Sequence, residues 1–203
     1  LEDYMQLEGL GLRIVPQKNP SDLQNYGIVG SGKVHTEKLF DNVMNKFKWG
    51  NFDNERLFVD RSYQPSVQTM QLSIRRAAYQ LLRENNNANA IELTDKFFEA
   101  FPNMNFAYDY RTWPMIGVYL QSNAYEKAKP HIETLARNTA DNLEYYLSLS
   151  EEIIESSYRT ETMLSYNTME SIVQEVSRRN DPDFLKQIEG LFAPYLIQEG
   201  IRD

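Results

Sequence analysis

The chain has 203 residues, a net charge of −8 and no cysteine. With 41% hydrophobic and 25% charged residues, it has the balance of an ordinary folded protein with a core of its own. The absence of cysteine excludes disulfides and thiolate catalysis, and the acidic composition without a dense basic stripe disfavours nucleic acid and anionic lipid as partners.

Metal, cofactor and membrane signals are missing from the sequence. His35 and His131 lie far apart, and neither has a second ligand at metal-binding spacing, so no metal site or cofactor is predicted. No apolar run reaches the roughly 18 residues that a membrane-spanning helix needs. Because the chain starts with Leu-Glu-Asp-Tyr, we expect a fragment whose signal peptide or membrane region lay upstream.

Residues 1–64 are predicted to form an irregular segment that packs on the following helices. The run GLGLRIVP at 9–16 is apolar, contains β-branched residues and ends at a proline, so it predicts one short strand. Thr36 stands where a helix N-cap is expected, before the run EKLFDNVMNKF with apolar residues at helical spacing. This segment therefore should contain one strand and one helix.

The stretch GIVGSGKV at 27–34 matches a nucleotide-binding phosphate loop up to its last position. Val34 stands where a Ser or Thr would bind magnesium. The preceding run QKNPSDLQNY is polar and rich in turn residues, so no hydrophobic strand leads into the loop. We predict a Gly/Ser loop without nucleotide binding.

Residues 65–203 are predicted to form one helical domain. Apolar stripes at helical spacing alternate with short polar turns, and the first four make two helical hairpins. Two further helices follow, and Asp181 is expected to cap the last one, just before Pro182. The stripes occupy residues 67–82, 90–101, 110–120, 128–149, 163–176 and 184–195.

The two hairpins resemble tetratricopeptide repeats, which are helix–turn–helix units of about 34 residues with a small residue at the helix crossing. Ala90 occupies the crossing position of the first hairpin, with Pro102 at its close, and Ala128 occupies the equivalent position of the second. The sequence thus predicts a mainly α fold of tetratricopeptide-like hairpins, an α–α superhelix. An unrelated helical bundle is the alternative, because amphipathic hairpins resemble one another.

Four aromatic or basic residues are candidates for binding. In a tetratricopeptide array the first helix of each pair lines the concave face, which places Arg75, Tyr79, Tyr110 and Trp113 there as a groove for an extended chain. Alternatively, Tyr79 and Trp113 are half-buried packing residues. Trp49 is predicted to anchor the N-terminal segment on the helices.

Catalytic chemistry finds little support in the sequence. Neighbouring carboxylates such as Glu151 and Glu152 are expected to be solvated, because acid–base catalysis needs a poised pair in a cleft. No Gly-x-Ser-x-Gly elbow is present, and neither histidine has the setting of a catalytic triad. We predict no catalytic residue.

Four blocks of the sequence together resemble a known family. They are YMQLEGLGLRIVP at 4–16, LFDNVMNKFKWGNFDN at 39–54, AIELTDKFFEAFPNMNFAYDY at 90–110 and NLEYYLSL at 142–149. They resemble the C-terminal soluble, tetratricopeptide-like region of a Bacteroidetes family of multi-spanning membrane proteins of unknown function, similar to protein O-mannosyltransferases. The resemblance covers most of residues 4–150, and NKFKWGN is its most distinctive piece.

The resemblance implies a periplasmic location on a membrane-anchored parent protein. In such transferases the catalytic acidic residue lies in the membrane domain, so no catalytic residue carries over to this chain. We expect a non-catalytic interaction or scaffolding domain that binds a protein or peptide, including the membrane domain of the same chain, with a glycan as a further candidate ligand. The alternatives are a stand-alone carbohydrate- or peptide-binding protein, and a hydrolase or transferase with an acidic site of its own.

Overall fold

A computed structural model of the chain describes residues 2–19 and 32–199. The fold is mainly helical with a small sheet near the N-terminus, which confirms the predicted mainly α class. The chain forms two compact units: Leu1–Ala107 with Pro114–Tyr125, and Tyr108–Trp113 with Glu126–Asp203. The predicted boundary near residue 64 falls inside the first unit. None of the described helices has the length and apolar character needed to cross a membrane.

The sheet contains three strands in the described part of the chain, where one was predicted. They are β1, Met5–Leu7, β2, Leu12–Ile14, and β3, Lys33–Val34, in the order β2-β1-β3. β1 pairs antiparallel with β2, with Met5 opposite Ile14, and parallel with β3, with Leu7 opposite Val34. Strands of two or three residues are too short to show the alternating pattern that identifies a strand in a sequence.

The end of the glycine-rich stretch leads into β3, while residues 27–31 lie outside the described residues. Gly32 has a φ of +77°, and a Cβ atom there would lie 2.7 Å from the carbonyl oxygen of Met5, so this position requires glycine. Buried Arg76 donates to the Gly32 carbonyl at 2.6 Å and thereby ties the sheet to a helix.

The predicted N-terminal helix is present, but its cap is one residue earlier than expected. Helix α1, Thr36–Asp41, is capped by His35, whose Nδ1 accepts from the Lys38 backbone N–H at 3.4 Å. The Thr36 hydroxyl donates instead to Glu84 at 2.9 Å, so it is engaged with another helix. A π-helical turn, Asn42–Lys46, continues α1. Two short 3₁₀ turns, Glu2–Tyr4 and Arg61–Tyr63, complete this region.

The first unit contains the predicted first hairpin. Helices α2, Gln64–Arg83, and α3, Asn87–Ala100, pack through apolar faces that exclude solvent completely at positions such as Ala77 and Ala90. The Asn86 side chain caps α3 by accepting from the Asn89 N–H at 3.3 Å. Helix α4, Trp113–Gln121, lies mostly in this unit, and its Tyr119 donates to Asp95 of α3 at 2.7 Å.

The second unit is built from α5, Tyr125–Leu147, α6, Glu151–Ile153, a π-helical turn, Ile154–Tyr158, α7, Arg159–Ser177, and α8, Pro182–Glu199. Its core contains the fully buried side chains Leu143, Met169, Ile172, Val176 and Phe192. The Asp181 carboxylate accepts from the Phe184 N–H at 3.2 Å, which confirms the predicted cap of α8.

Candidate binding site

An open cavity of about 720 Å³ lies in the first unit, between the segment that follows the π-helical turn and helices α2 and α3. Its volume falls in the range of about 300–1,000 Å³ that is typical of ligand pockets. The wall is mostly apolar, and we call this feature the aromatic cavity because its lining includes the rings of Phe47, Trp49, Phe52, Phe58, Tyr63, Phe101 and Phe106.

The rings of the wall form a chain of edge contacts. Trp49 lies between Phe47 and Phe101, at centroid distances of 5.9 and 5.7 Å. Phe106 continues the chain, 5.4 Å from Phe101 and 5.0 Å from Phe52. Edge-to-face contacts of this kind add about 0.5–1.5 kcal/mol per pair beyond the burial of area. The contact of Trp49 with Phe101, at the end of α3, confirms that Trp49 anchors the N-terminal segment.

The π-helical turn brings the aromatic segment to its place. The turn ends at Phe47, where the backbone becomes extended with φ −70° and ψ 144°. The Trp49 indole N–H donates back to the carbonyl of Val43 in the turn, at 3.3 Å. π-Helical turns are rare and often lie at functional sites. Here the turn releases the chain from the helix and directs two aromatic side chains into the wall.

One side chain, Asn105, holds the opposite wall. Its amide nitrogen donates to the carbonyl oxygens of Phe52 and Glu55, at 2.6 and 2.7 Å, and its oxygen accepts from the Leu57 N–H at 2.7 Å. An Asn side chain offers two donors and one acceptor oxygen, so these three bonds use every N–H of the amide group. Asn105 therefore fixes the irregular segment 52–57 without help from a helix or a sheet.

The mouth of the cavity exposes large apolar side chains. Phe58 is 91% exposed, more than any other large hydrophobic residue in the described part of the chain, and Leu57 and Tyr63 are exposed beside it. The backbone N–H and C=O groups of Phe58 and Val59 make no hydrogen bond with any described residue. The mouth thus offers both apolar surface and unpaired backbone groups.

The charged residues among the described lining are both lysines. Lys46 pairs with Asp41 and donates to the Asn42 side chain at 3.0 Å. The hydrogen bond from Lys46 lowers the pKa of the Asp41 carboxyl. Lys48 is exposed and makes no ion pair with any described residue. Positive charge thus stands at the edge of an apolar cavity in a chain whose net charge is −8.

Arg75 and Tyr79, two of the predicted binding residues, lie together on α2 in the first unit, outside the aromatic cavity. The Tyr79 hydroxyl donates to the Pro114 carbonyl at 3.1 Å, and burial raises the pKa of this phenol. Burial likewise lowers the pKa of the Arg75 guanidinium, whose buried Nε finds no hydrogen-bond partner among the described residues. The Tyr79 hydroxyl is thus bonded to helix α4, whereas Arg75 makes no ion pair with a described residue.

The other two predicted residues lie in the second unit. Trp113 is the first residue of α4 and is half-buried. The placement of Tyr110 on that helix was wrong, because α4 begins three residues later. The Asp109 carboxylate accepts from the Arg111 N–H at 2.8 Å and forms a turn before the helix. Exposed Tyr110 instead lies 4.4 Å from the Arg111 guanidinium carbon.

The sequence interpretation missed the residues that form the aromatic cavity. The available signal was the pair of aromatic residues in NKFKWGN, the most distinctive piece of the family resemblance. In the described residues, His, Asp and Glu side chains do not gather in groups of three that could hold a metal ion. What the cavity wall offers is apolar binding surface.

Comparison of the chain with protein-family models, with curated proteins and with solved structures finds no match in any of the three.

Proposed function

We propose that the chain is an interaction module that binds a protein or peptide partner, and that the partner docks at the aromatic cavity. The observation that carries this proposal is the 91% exposure of Phe58 at the mouth of an apolar cavity. Full burial of such a side chain is worth about 1.5–3 kcal/mol, and clustered exposed apolar groups mark interaction surfaces. A partner that covers Phe58 gains this energy.

The composition of the wall favours apolar side chains over a glycan. Sugar hydroxyls need hydrogen-bond partners, because a buried polar group without one is costly. Among the described lining residues, the uncharged polar side-chain groups are the hydroxyls of Tyr63 and Ser66 and the indole N–H of Trp49, and the last is already bonded to Val43. The apolar wall therefore suits large apolar side chains better than sugar hydroxyls, whose further partners would be the backbone groups and lysines of the mouth.

We also propose that the helical hairpins are tetratricopeptide-like. In support, α2 and α3 pack as a hairpin across the short turn at 84–86, and Ala90, at the predicted crossing position, is fully buried. Arg75 and Tyr79 lie on the first helix of this hairpin. We propose that these two residues are a second contact for the same partner, in addition to the aromatic cavity.

The parent protein is proposed to be a membrane glycosyltransferase-like protein whose periplasmic tail this chain forms. The support is the sequence resemblance over most of residues 4–150, in which the distinctive NKFKWGN block supplies part of the cavity wall. Sequencing the gene upstream of the codon for Leu1 tests this setting. We expect several hydrophobic stretches of about 20 residues there, and a short upstream region without them would favour the stand-alone binding protein.

The binding proposal is tested with a random dodecapeptide library selected on the wild-type chain. The selected peptides are then measured by fluorescence anisotropy on Phe58→Ala, which removes the exposed anchor, and on Val67→Trp, which fills the cavity. We expect each variant to weaken binding at least about tenfold, or about 1.4 kcal/mol. Tyr145→Ala removes a 51% exposed aromatic side chain from the second unit and should leave affinity unchanged.

Two outcomes would contradict the proposal. Selected peptides that bind all four proteins equally, with circular dichroism showing each variant folded, would place the binding surface elsewhere. The enzyme alternative is tested by assaying the chain for glycosidase activity and nucleotide hydrolysis. Turnover that one carboxylate substitution abolishes would replace the interaction module with a hydrolase.

A further inference from the structure

We infer that the partner is an acidic peptide, which inserts an apolar side chain into the aromatic cavity and places a carboxylate beside Lys48. This inference rests on the proposed function and adds the chemistry of the partner. It follows from three features of the cavity mouth: its charge, its unpaired backbone groups and its exposed phenylalanine.

The charge at the mouth is opposite to that of the chain. Lys46 and Lys48 are the charged residues among the described lining, although acidic residues outnumber basic ones, 29 to 21, over the whole sequence. Asp41 already neutralises Lys46. Lys48 has no carboxylate of its own among the described residues, so a carboxylate supplied by a partner would complete the pair.

The position of Lys48 couples the charge to the apolar site. Lys48 lies between Phe47 and Trp49, whose rings contact each other at 5.9 Å in the cavity wall. A peptide residue held against these rings brings its sequence neighbours within reach of the Lys48 ammonium group. Complementary charge of this kind speeds association and selects among partners more than it adds affinity.

The unpaired backbone groups favour a peptide over a fatty acid with the same charge. Phe58 and Val59 offer N–H and C=O groups that no described residue uses, and Asp60 next to them has an extended backbone, with φ −61° and ψ 145°. An extended peptide can bond to such groups with its own backbone, as in strand addition at a sheet edge. An acyl chain has no groups that could do so.

The overall charge also disfavours a membrane as the occupant. An exposed phenylalanine with two lysines would suit an anionic bilayer if the surrounding protein were basic. Because the net charge is −8, an anionic bilayer repels the protein surface outside the two lysines. An acidic peptide meets less of the acidic surface than a bilayer does, although exposed Asp60 lies next to the backbone groups of Phe58 and Val59.

The test uses the peptides that the library selection yields. We expect Asp or Glu to be enriched within two positions of the apolar anchor residue. Lys48→Glu should weaken these peptides about fivefold or more at low salt, and the loss should shrink as salt is raised. Lys186→Glu makes the same charge change at an exposed lysine that does not line the aromatic cavity and should have no effect.

The outcomes separate the inference from the proposed function. Peptides that depend on Phe58 and Val67 but show neither acidic enrichment nor sensitivity to Lys48→Glu would overturn the inference and leave the proposed function standing. Binding that ignores the cavity variants would overturn both. Stronger competition by dodecanoate than by the peptides, sedimentation with phosphatidylglycerol vesicles, or Phe58-dependent dimers in analytical ultracentrifugation would assign the cavity to another occupant and overturn the inference.

Discussion

The two units each contain a cluster of aromatic side chains, but the clusters differ in what they enclose. In the second unit, the rings of Tyr145, Tyr146 and Tyr158 contact one another at centroid distances of 5.4 to 6.0 Å. In the first unit, the rings form the wall of a cavity of about 720 Å³. We call the three tyrosines of the second unit the tyrosine cluster, and they differ from the aromatic cavity of the first unit.

The difference lies in the backbone that carries the rings. In the tyrosine cluster, Tyr145 and Tyr146 are neighbours at the end of α5, and Tyr158 ends a π-helical turn, so helical backbone carries all three rings. In the aromatic cavity, Asn105 holds an irregular segment through three hydrogen bonds. Both clusters adjoin a π-helical turn. The feature that distinguishes the aromatic cavity is therefore the irregular segment 52–57 that Asn105 holds.

The largest effect should come from removing a central ring of the cavity wall. Phe101 is 4% exposed and contacts the rings of Trp49, Phe97 and Phe106. Phe101→Ala should lower the free energy of unfolding by about 3–5 kcal/mol, because it leaves a large void in a packed region. Urea unfolding followed by tryptophan fluorescence, in a Trp113→Phe background where Trp49 reports alone, measures it.

The matched change in the tyrosine cluster is Tyr158→Ala. This ring is only partly buried, so its removal should cost about 1 kcal/mol, the energy of its aromatic contacts. Urea unfolding followed by far-ultraviolet circular dichroism measures it. Equal losses for Phe101→Ala and Tyr158→Ala would mean that the two clusters contribute alike to stability, which would contradict this prediction.

Periodicity predicted most of the fold because the long helices bury continuous apolar stripes. The stripe at 67–82 became α2, Gln64–Arg83, and the stripe at 163–176 became α7, Arg159–Ser177. The three short strands gave no comparable signal, because their pairing involves residues as distant as Gln6 and Lys33. Capping chemistry was correct at Asp181, but at Thr36 a contact with distant Glu84 took the hydroxyl away from the cap.

The aromatic cavity could not be predicted from the sequence, because it too depends on contacts between residues that are distant in the chain. Its wall depends on Asn105 reaching the carbonyl of Phe52, and a single asparagine near a proline looks like an ordinary turn residue. Nor does a sequence show whether aromatic residues will pack on one another or surround a space. Tyr145 and Phe58 are both exposed aromatic residues, but Tyr145 packs in a cluster of rings and Phe58 lines a cavity.

An intermediate effect should follow from changing the residue that holds the cavity open. Asn105→Asp places a carboxylate oxygen where the amide donated to the carbonyls of Phe52 and Glu55, so it leaves two acceptors without donors and adds repulsion. We expect a loss of about 2 kcal/mol. Hydrogen exchange of residues 52–59 should accelerate, while the middle of α2 stays protected.

The control for this change lies in the second unit. Asn138 donates to the Tyr108 carbonyl at 3.0 Å, and Asn138→Asp removes this donor from a helix whose backbone bonds remain. It should cost about 1 kcal/mol and leave exchange at 52–59 unchanged. If Asn105→Asp leaves those residues as protected as in the wild type, packing alone holds the wall.

The smallest effect should be a response of the tyrosine cluster to alkaline pH. A change at Phe101, in the wall of the aromatic cavity, should not alter this response. The hydrogen bond with Tyr158 is the main cause that raises the pKa of Tyr145, and the Tyr158 charge and burial add to it. Because the folded pKa lies above the unfolded value of about 10, the contribution to stability is fully present below that value and is lost as the pH rises through the folded pKa.

Ultraviolet titration of tyrosinate absorbance should show a late-titrating group, which Tyr158→Phe moves to lower pH. Phe101→Leu, which alters the cavity wall without touching a phenol, should leave that transition in place, and a shift there as large as in Tyr158→Phe would show that the two clusters are coupled.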